Sequence, residues 1–374
     1  PAAHPDGLKG RCVDISIGIG VEWRGKGIGA RAVVAVLPLL AGAGVDSVLA
    51  EVREGNEVSA TIFRKAGFAA LASRKHRVTD TGEVCRVVPW MFEITPAFWR
   101  RQGVFVVAEA GSNWRMGTAA RDRAMGRALI DAAAEAGADA VKFQTFRPET
   151  VYVANAGASD YLSEAGISED IGTIFADLAM PYEMLGELAG HCRASGIAFM
   201  SSPFSPADFA AVDPHVGVHK IASYENNHVH LLRLAAASGK PTLISTGAST
   251  ADDIAFAVET YRAAGGRDLC LMQCTARYPA PVAALNVATI PWLQRRFEAA
   301  AGLSDHSRDP LAGPLAAVAH GARVIEKHFT LDNRLPGPDH AFAITPDELA
   351  QTVSYTHLRA HETKANLVCR LLLE

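Results

Sequence analysis

The sequence predicts an α/β protein in which a (β/α)8 TIM barrel follows a smaller, partial α+β domain. From Val104 onward, short apolar runs alternate with alanine-rich helical stretches. Eight such units spread over roughly 250 residues match the usual length of a barrel of this type. Residues 1–98 carry a separate α/β pattern, and the polar and aromatic residues 98–103 join the two parts.

The apolar runs are the predicted strands of the barrel, and they are residues 104–108, 140–143, 197–200, 218–221, 242–245, 269–272, 301–303 and 323–326. The helical stretches between them include residues 119–136, 182–195, 230–238, 251–264 and 310–320. Strands that alternate with helices imply a parallel sheet covered on both faces. A doubly wound open sheet is the alternative, and the count of eight favours the barrel over the residues 103–352.

Composition narrows the classes of function. The net charge of −4 gives no electrostatic case for binding nucleic acid or an anionic membrane. No unbroken apolar run of about 18 residues occurs, and no basic stretch followed by an apolar one marks a secretion signal. The six cysteines are scattered without a CxxC pair, so we expect a reducing, cytoplasmic location. The chain does not begin with Met, which is compatible with a fragment of a longer protein.

The last stretch of the chain departs from the preceding pattern. Residues 353–374 do not continue the composition of the helix before them, and we interpret them as a non-native cloning or sequencing-adaptor tail. His357, His361 and Cys369 lie in this tail, and reading them as metal ligands is the weaker interpretation.

Polar side chains end every predicted barrel strand, at the position where barrels of this type carry their chemistry. Any one of them has a structural explanation, such as an ion pair, a helix cap or a hydrogen-bonded core histidine. Eight polar strand ends in succession are hard to explain by packing, because burying polar groups without partners is costly. We therefore predict a functional site at this end of the barrel.

The residue types sort by chemistry. An oxygen-rich anion such as a phosphate with a carboxylate would suit the cations and hydroxyls of Lys142, Lys220, Ser202, Ser223, Ser245 and Ser304. His306 and His328 end adjacent strands, and two histidines with open remaining positions suit a divalent transition metal that acts as a Lewis acid. The candidate acid/base groups are Glu109, Glu225 and Asp339.

Residues 103–352 resemble the sialic acid synthase family, which comprises bacterial nonulosonic acid synthases of the N-acetylneuraminate and pseudaminic acid types. The motifs that carry the resemblance are AEAGSNW (108–114), GADAVKFQ (137–144), SSPFS (201–205), HKIASYE (219–225), KPTLISTG (240–247), QCTARYPAP (273–281), GLSDHS (302–307) and IEKHFTLDNRLPGPDH (325–340). Eight motifs in order over about 250 residues are very specific.

The resemblance implies a transferase that condenses phosphoenolpyruvate with an N-acetylated aminosugar in its open-chain aldehyde form, with loss of phosphate by C–O cleavage. It implies a metal, usually Mn2+, held by His306 and His328. By motif match, the two lysines and the four serines above would hold phosphoenolpyruvate. Glu109, Gln144, Tyr278 and Asp339 would face the sugar, with Glu109 as the carboxylate that handles a proton or orients water.

Two departures from the family pattern bear on the acceptor and on assembly. Ala276 stands where many relatives have Asn, and Ala222-Ser223-Tyr224 stands where many have Gly-Ser-Gly. The Ala-Ser-Tyr form of this chain is closer to the pseudaminic acid and spore-coat branch. The family also carries a small C-terminal antifreeze-like domain that reaches the partner's site in a homodimer, and this chain stops before it.

The N-terminal part resembles the C-terminal half of the GNAT N-acetyltransferases. The glycine loop Arg24–Gly29 precedes a helix over residues 30–43 and suits a pyrophosphate-binding turn. Asn56, Ser59 and the segment 63–68 follow at the family's spacing, with Phe63 where many members have a Tyr general acid. The resemblance implies acetyl-CoA at the predicted cofactor-binding residues Arg24, Gly25, Gly27, Gly29 and Asn56.

Three other functions remain open from the sequence. The first is aminosugar N-acetylation by the N-terminal domain, which the missing early strands disfavour. The second is a non-catalytic sugar-phosphate binding protein, which the retained lysines and histidines disfavour. The third is a barrel synthase that uses phosphoenolpyruvate to make a shorter keto acid, which the GLSDHS and PGPDH motifs disfavour.

Overall fold

The computed structural model describes residues 12–20, 24–26, 28–42, 45, 47–66, 68–71, 73–77, 84–93, 103–151 and 171–361. The chain divides into two compact units, Pro1–Pro96 and Ala97–Glu374. Among the described residues, no helix is both long enough and apolar enough to cross a bilayer.

The N-terminal unit is a small mixed sheet with two helices. Its elements are β1 (Cys12–Asp14), α1 (Ile28–Gly42), β2 (Ser47–Arg53), α2 (Glu57–Lys65), β3 (Ala69–Ala70), β4 (Arg74–Arg77) and β5 (Val84–Glu93). β1 pairs with β2 in parallel, whereas β2, β3 and β4 all pair antiparallel with β5. Apolar side chains that include Val33, Val48, Phe63 and Trp90 form its core.

The structure gives two of the predicted acetyl-CoA residues a local packing role. The side chain of Asn56 caps α2 by accepting a hydrogen bond from the backbone N–H of Ser59. A Cβ on Gly29 would lie 2.7 Å from the Cδ1 of Ile19 and 2.8 Å from that of Ile62, so a glycine lets α1 pack closely. Gly25 has a positive φ of 75° in a turn that also holds Arg24, and Gly27 lies outside the described residues. Acetyl-CoA binding stays a prediction.

The second unit contains eight parallel strands and the helices that connect them. The strands are β6 (Phe105–Gly111), β7 (Ala140–Thr145), β8 (Ala198–Pro203), β9 (His219–Ile221), β10 (Thr242–Ser245), β11 (Leu269–Cys274), β12 (Ala300–Asp305) and β13 (Val324–His328). The helices are α3 (Ala119–Glu135), α4 (Pro148–Val151), α5 (Ile171–Leu178), α6 (Tyr182–Ser195), α7 (Pro206–Val212), α8 (Val229–Ala237), α9 (Ala251–Ala263), α10 (Thr289–Phe297), α11 (Ala312–Ala319) and α12 (Pro346–His361).

The sheet order shows a TIM barrel. The strands pair in the order β8-β7-β6-β13-β12-β11-β10-β9, so the first strand of the unit pairs with the last. The strands at the two ends of this order, β8 and β9, follow one another in the chain. The predicted (β/α)8 architecture is confirmed, and each of the eight predicted strands is present.

Helix ends in this unit follow local capping chemistry. Thr250 and Asp253 form a reciprocal capping box at the start of α9, in which each side chain accepts from the other residue's backbone N–H. Ser205 caps α7 by accepting from the N–H of Asp208, and Pro206 occupies the first turn. At the other end of a helix, Gly196 ends α6 in the left-handed conformation, at φ 72°. These caps satisfy backbone groups that would otherwise lack partners at the helix ends.

The last helix differs from the sequence-based boundary. Composition predicts that native structure stops at residue 352, yet α12 continues to His361. Thr356 is fully buried, and the ring of His357 lies 3.1 Å from the carbonyl oxygen of Val104 at the start of the barrel. The helix continues because its buried face still meets the barrel there. The origin of residues 353–374 stays a prediction.

The barrel interior has two layers. Alternate strand residues point to the same face, so residues two apart share the interior. The lower layer is apolar and consists of Phe105, Val107, Ala140, Met200, Val218, Leu243, Cys270, Met272 and Val324. The next inward residue of each strand, such as Glu109 after Val107 or Ser245 after Leu243, belongs to the upper layer, which is polar and faces a cavity.

Candidate active site

The upper layer of the barrel lines a cavity of about 590 Å³ at the carboxyl ends of the strands. All thirteen site residues predicted for the barrel line this one cavity, and they are Glu109, Lys142, Gln144, Ser202, Lys220, Ser223, Glu225, Ser245, Tyr278, Ser304, His306, His328 and Asp339. The structure therefore brings the predicted barrel residues to one cavity, while their roles stay predictions.

Four buried charged side chains form the floor of the cavity. Lys142 is paired with Glu109, and its Nζ also lies 3.8 Å from Oε1 of Glu326. The Nζ of Lys220 lies 3.2 Å from the same Glu326 oxygen. All four side chains are at most 4% exposed. Two ammonium groups face two carboxylates, so the floor carries no large net charge when every group is ionised.

Glu326 lines the cavity but is not among the site residues predicted from the sequence. Its Oε1 accepts a hydrogen bond of 2.9 Å from the hydroxyl of Ser304 in addition to its contacts with both lysines. Although burial opposes ionisation, Lys142 and Lys220 lower the pKa of Glu326 to about 2. The period of two along β13 could have identified it, since Glu326 shares the inward face with His328 while Lys327 points the other way.

Glu109 has the opposite electrostatic environment. Burial, together with the nearby Glu326 carboxylate, raises the pKa of Glu109 to about 7 despite its ion pair with Lys142. The amide of Gln144 donates a hydrogen bond of 3.1 Å to its Oε1. A carboxyl group with this pKa can both give and take a proton near neutral pH.

Glu225 is the second carboxyl group of the cavity with a raised pKa. It lies in a short 3-10 turn after β9, residues Ser223–Glu225, and it is 8% exposed. Burial raises its pKa to about 7, and the more distant Lys220 only partly opposes this effect. Its Oε2 has no hydrogen-bond partner among the described residues.

Two histidines lie next to each other at the carboxyl ends of β12 and β13. The ring centroids of His306 and His328 lie 5.2 Å apart at an angle of 79°. Tyr278 stacks on His306 at 4.1 Å, and Phe342 lies 5.3 Å from His328. Burial lowers the pKa of His306 to about 4, and burial with the neighbouring His306 lowers the pKa of His328 well below its usual value. Both rings are therefore neutral at pH 7.

Each of the two histidines has a ring nitrogen whose lone pair could bind a metal ion. The Nδ1 of His306 lies 2.8 Å from the carbonyl oxygen of Thr275, which makes that nitrogen the N–H donor and leaves the Nε2 lone pair toward Tyr278. The Nδ1 of His328 is buried without a hydrogen-bond partner among the described residues. Within the part of the chain that the structure describes, no group of three or more His, Cys, Asp or Glu has metal-binding geometry. A bound ion would take its remaining ligands from substrate and water.

Two glycines keep room at the rim of the cavity. A Cβ on Gly247 would lie 2.8 Å from the Oγ of Ser223 and 3.0 Å from the Sγ of Cys274. The N–H of Gly247 also donates to that Ser223 hydroxyl at 3.0 Å. Gly111 has φ 50°, and a Cβ there would meet the carboxylates of Asp339 and Glu109 at 3.1 and 3.3 Å. Glycine at both positions lets polar side chains approach one another.

The fold and the site together define a TIM-barrel protein whose cavity floor holds two buried lysines and two buried carboxylates beside a pair of neutral histidines. The model of the NeuB family matches residues 129–365 of the chain. The chain belongs to the NeuB family.

Three known proteins illustrate the relationship. Spore coat polysaccharide biosynthesis protein SpsE of Bacillus subtilis is 42% identical over 254 residues, which cover 67% of this chain and 66% of that protein. Pseudaminic acid synthase of Campylobacter jejuni is 35% identical over 255 residues, which cover 67% of this chain and 72% of that protein. The crystal structure of the N-acetylneuraminic acid synthetase of Leptospira borgpetersenii, in complex with citrate, has 26% identity and a TM-score of 0.61, and it covers 80% of this chain and 96% of that chain.

The match therefore spans about two thirds of the Bacillus relative's length. The matched family region lies within the second unit. The resemblance of residues 1–98 to the GNAT acetyltransferases stays a prediction.

Proposed function

We propose that the barrel catalyses the condensation of phosphoenolpyruvate with an N-acetylated aminosugar in its open-chain aldehyde form. The product is a nine-carbon 2-keto acid of the nonulosonic class, and the second product is inorganic phosphate. The observation that carries this proposal is the cavity floor, where Lys142 and Lys220 stand among serine hydroxyls next to two neutral histidines. Membership of the NeuB family supports it.

Phosphoenolpyruvate would bind on the floor. Its phosphate and carboxylate are planar or tetrahedral groups of anionic oxygens, which ammonium and hydroxyl donors recognise. The hydroxyls of Ser202 and Ser304 already contact the charged cluster, at 3.3 Å from Lys142 and 2.9 Å from Glu326. The hydroxyl oxygen of Ser245 is buried without a partner among the described residues. Burying such a donor is costly unless a ligand accepts from it.

Charge balance supports a divalent cation next to the floor. Two lysines face two carboxylates, so the floor alone offers little net positive charge to a guest that carries both a phosphate and a carboxylate. His306 and His328 would hold the ion, Mn2+ in our proposal, through neutral imidazole nitrogens. The bound ion would supply Lewis-acid polarisation of the sugar aldehyde.

The side chains around the floor would bind the sugar and move protons. Carbon 3 of phosphoenolpyruvate forms the new bond to the aldehyde carbon, and the aldehyde oxygen takes up a proton. Water adds at carbon 2 and gives up one proton, which balances the proton taken up by the aldehyde oxygen. The hydroxyl group formed at carbon 2 gives its remaining proton to the departing phosphate as the C–O bond to phosphate breaks, and the ketone remains. Glu109 would orient or deprotonate that water, while Gln144, Tyr278, Asp339 and Glu225 would contact the sugar.

Phosphate release tests the proposal. The full chain is incubated with phosphoenolpyruvate and Mn2+, with N-acetylmannosamine or a 2,4-diacetamido-trideoxyhexose as separate acceptors. We expect release that needs both the metal and an acceptor and that His306→Ala reduces by at least about 100-fold, as loss of a group that stabilises developing charge does. Calorimetric titration with Mn2+ should show tight binding that the variant loses. Acceptor-independent release, or full activity of the variant, would refute the proposal.

The acceptor belongs, in our proposal, to the branch of the pseudaminic acid and spore-coat relatives. The segment Ala222-Ser223-Tyr224 supports this assignment, because its Ala-Ser-aromatic form is closer to that branch. Tyr224 lines the cavity and is 69% exposed. An exposed aromatic ring at a cavity mouth offers a flat apolar face to a sugar. Faster phosphate release with the diacetamido sugar than with N-acetylmannosamine would support the assignment.

A further inference from the structure

A fully buried ion pair lies behind the two histidines, on the outer face of the barrel sheet. Asp305 in β12 and Lys327 in β13 are direct partners in the register of the two strands. Both side chains are 0% exposed, and the Nζ of Lys327 lies 2.9 Å from Oδ2 of Asp305. Successive strand residues point to opposite faces, so Ser304 and Glu326 line the cavity while the ion pair points away from it.

The ion pair holds the backbone on both sides of His306. The Oδ1 of Asp305 accepts a hydrogen bond of 2.8 Å from the backbone N–H of Ser307. The Nζ of Lys327 donates to the carbonyl oxygen of Ser307 and, at 3.2 Å, to its hydroxyl. His306 lies between Asp305 and Ser307 in the chain, and His328 directly follows Lys327. Each histidine is therefore adjacent in sequence to one member of the ion pair.

The ion pair has little freedom to rearrange. The three N–H groups of the Lys327 ammonium have three acceptors, which are Oδ2 of Asp305 and the two oxygens of Ser307. Helix α11 covers the carboxylate closely, because a Cβ on Gly313 would lie 2.5 Å from Oδ2 of Asp305 and 2.8 Å from the Cδ1 of Leu285. The position of Ser307 is thus fixed relative to both strands.

Stability alone does not explain an ion pair at this place. Taking two charges out of water costs free energy, and well-packed apolar residues in place of a buried ion pair are often equally stable or more stable. Apolar residues, however, make no directional contact with the backbone of Ser307. Directional contacts matter next to the histidines, because metal ligands must lie within narrow distances of the ion. The ring centroids of His306 and His328 lie 5.2 Å apart.

We infer that Asp305 and Lys327 are positioning residues, which fix His306 relative to His328 and thereby set the affinity of the two histidines for a divalent cation. The inference rests on the proposed function, which assigns the cation to these histidines. With the ion pair intact, the rings are held in place before the cation binds. Without it, the segment around His306 is free to shift, and cation binding has to restore the arrangement.

A double variant tests the inference. Asp305→Leu with Lys327→Met removes both charges together, so no buried charge is left unpaired, and its melting temperature should stay close to that of the wild type. Calorimetry with the full chain gives the dissociation constant for Mn2+. We expect it to rise about 10- to 100-fold, the usual effect of losing a group that orients metal ligands. The dissociation constant for phosphoenolpyruvate without metal should stay unchanged, because Lys142 and Lys220 keep their contacts.

A milder variant and a matched control accompany the double variant. Ser307→Ala removes only the hydroxyl that Lys327 contacts, keeps both charges, and should weaken Mn2+ binding to a smaller extent. The control, Asp213→Asn with Lys240→Met, removes another aspartate–lysine pair, at 2.8 Å, from the segments that precede β9 and β10. It should leave the Mn2+ dissociation constant unchanged, since those segments lie at the amino-terminal ends of the strands.

The outcomes separate this inference from the proposed function. Equal Mn2+ dissociation constants for the wild type and the double variant, or equal weakening by the control, would overturn the positioning role and leave phosphate release by the wild type as support for the synthase. If the double variant melts well below the wild type, Ser307→Ala decides, and an unchanged dissociation constant there overturns the inference. A wild type that does not bind Mn2+ would overturn both the cation of the proposed function and this inference.

Discussion

Replacing Glu225 with glutamine should stabilise the barrel above neutral pH. Glu225 is 8% exposed, and one of its carboxylate oxygens has no hydrogen-bond partner among the described residues. Burial raises its pKa to about 7 from the ordinary 4.5. A carboxyl group whose pKa is higher in the folded chain than in the unfolded chain holds its proton more tightly when folded. Its contribution to stability is therefore greatest below pH 4.5 and is lost as the pH rises through 7.

The magnitude follows from the two pKa values. A pKa of about 7 in the folded chain against 4.5 in the unfolded chain, at about 1.36 kcal/mol per pKa unit, corresponds to about 3 kcal/mol at pH 8. At pH 5 most of this cost is absent. Because glutamine keeps the shape and cannot ionise, the stability gained by Glu225→Gln should grow by about 2–3 kcal/mol between pH 5 and pH 8.

Thermal unfolding at a series of pH values measures the effect. A free-energy difference of 1 kcal/mol shifts the melting temperature by about 2–4 °C in a large domain, so the variant should melt about 6 °C or more above the wild type at pH 8. The control is Glu259→Gln, which removes an exposed carboxylate from α9 and should show no such dependence on pH. A melting difference that is flat between pH 5 and pH 8 would show that the Glu225 carboxyl ionises in the folded chain without penalty.

Two further substitutions test other parts of the barrel. Asp305 and Lys327 form a fully buried ion pair at 2.9 Å. Asp305→Asn leaves the lysine charge buried without its partner, so it should lower the free energy of unfolding by about 3–5 kcal/mol in urea titrations. A cost below about 1 kcal/mol would contradict this expectation. Arg115→Ala removes the ion pair that ties Asp177 of α5 to the loop before α3. We expect the variant to raise the KM for the acceptor about 10-fold while the KM for phosphoenolpyruvate stays unchanged. Arg123→Ala removes the surface ion pair between Arg123 in α3 and Glu187 in α6 and serves as the control. An equal effect of the two variants would show that the contact between Arg115 and Asp177 has no particular role in acceptor binding.

The strands were predictable because parallel strands covered on both faces are apolar on both faces. The carboxyl ends of the strands were harder to predict. β7 continues beyond the predicted apolar run to Thr145, and β12 continues to Asp305. The prediction ends too early because these last residues of each strand are polar. A prediction that follows only apolar residues ends each strand before the polar residues that line the cavity. The hydrogen-bonded strand continues because its backbone pairing does not depend on side-chain polarity.

The grouping of the site residues was also predictable, since every polar strand end in a barrel meets at one mouth. The apolar side of the cavity, which is lined by Ile174, Phe175, Leu178 and Phe204, was not predictable. Phe146 and Phe204 follow different strands, and Ile174 lies on a helix in the connection between them. Nothing in the local sequence says that Ile174 and Phe204 face a cavity while Phe146 packs behind them. Such a contact depends on loop geometry, which composition and periodicity do not encode.

The carboxyl groups of the cavity differ because they stand at different distances from the two lysines. Glu326 contacts Lys142 and Lys220 and has a pKa lowered to about 2, so it stays ionised and holds both ammonium groups in place. Glu109 is paired with Lys142 but stands near Glu326, and Glu225 makes no ion pair with a described residue. Burial raises the pKa of both to about 7. Environments that push carboxyl pKa values apart in this way separate fixed charges from proton carriers. Glu326 therefore positions the phosphoenolpyruvate-binding cations in our proposal, whereas Glu109 and Glu225 are the groups able to exchange protons during condensation.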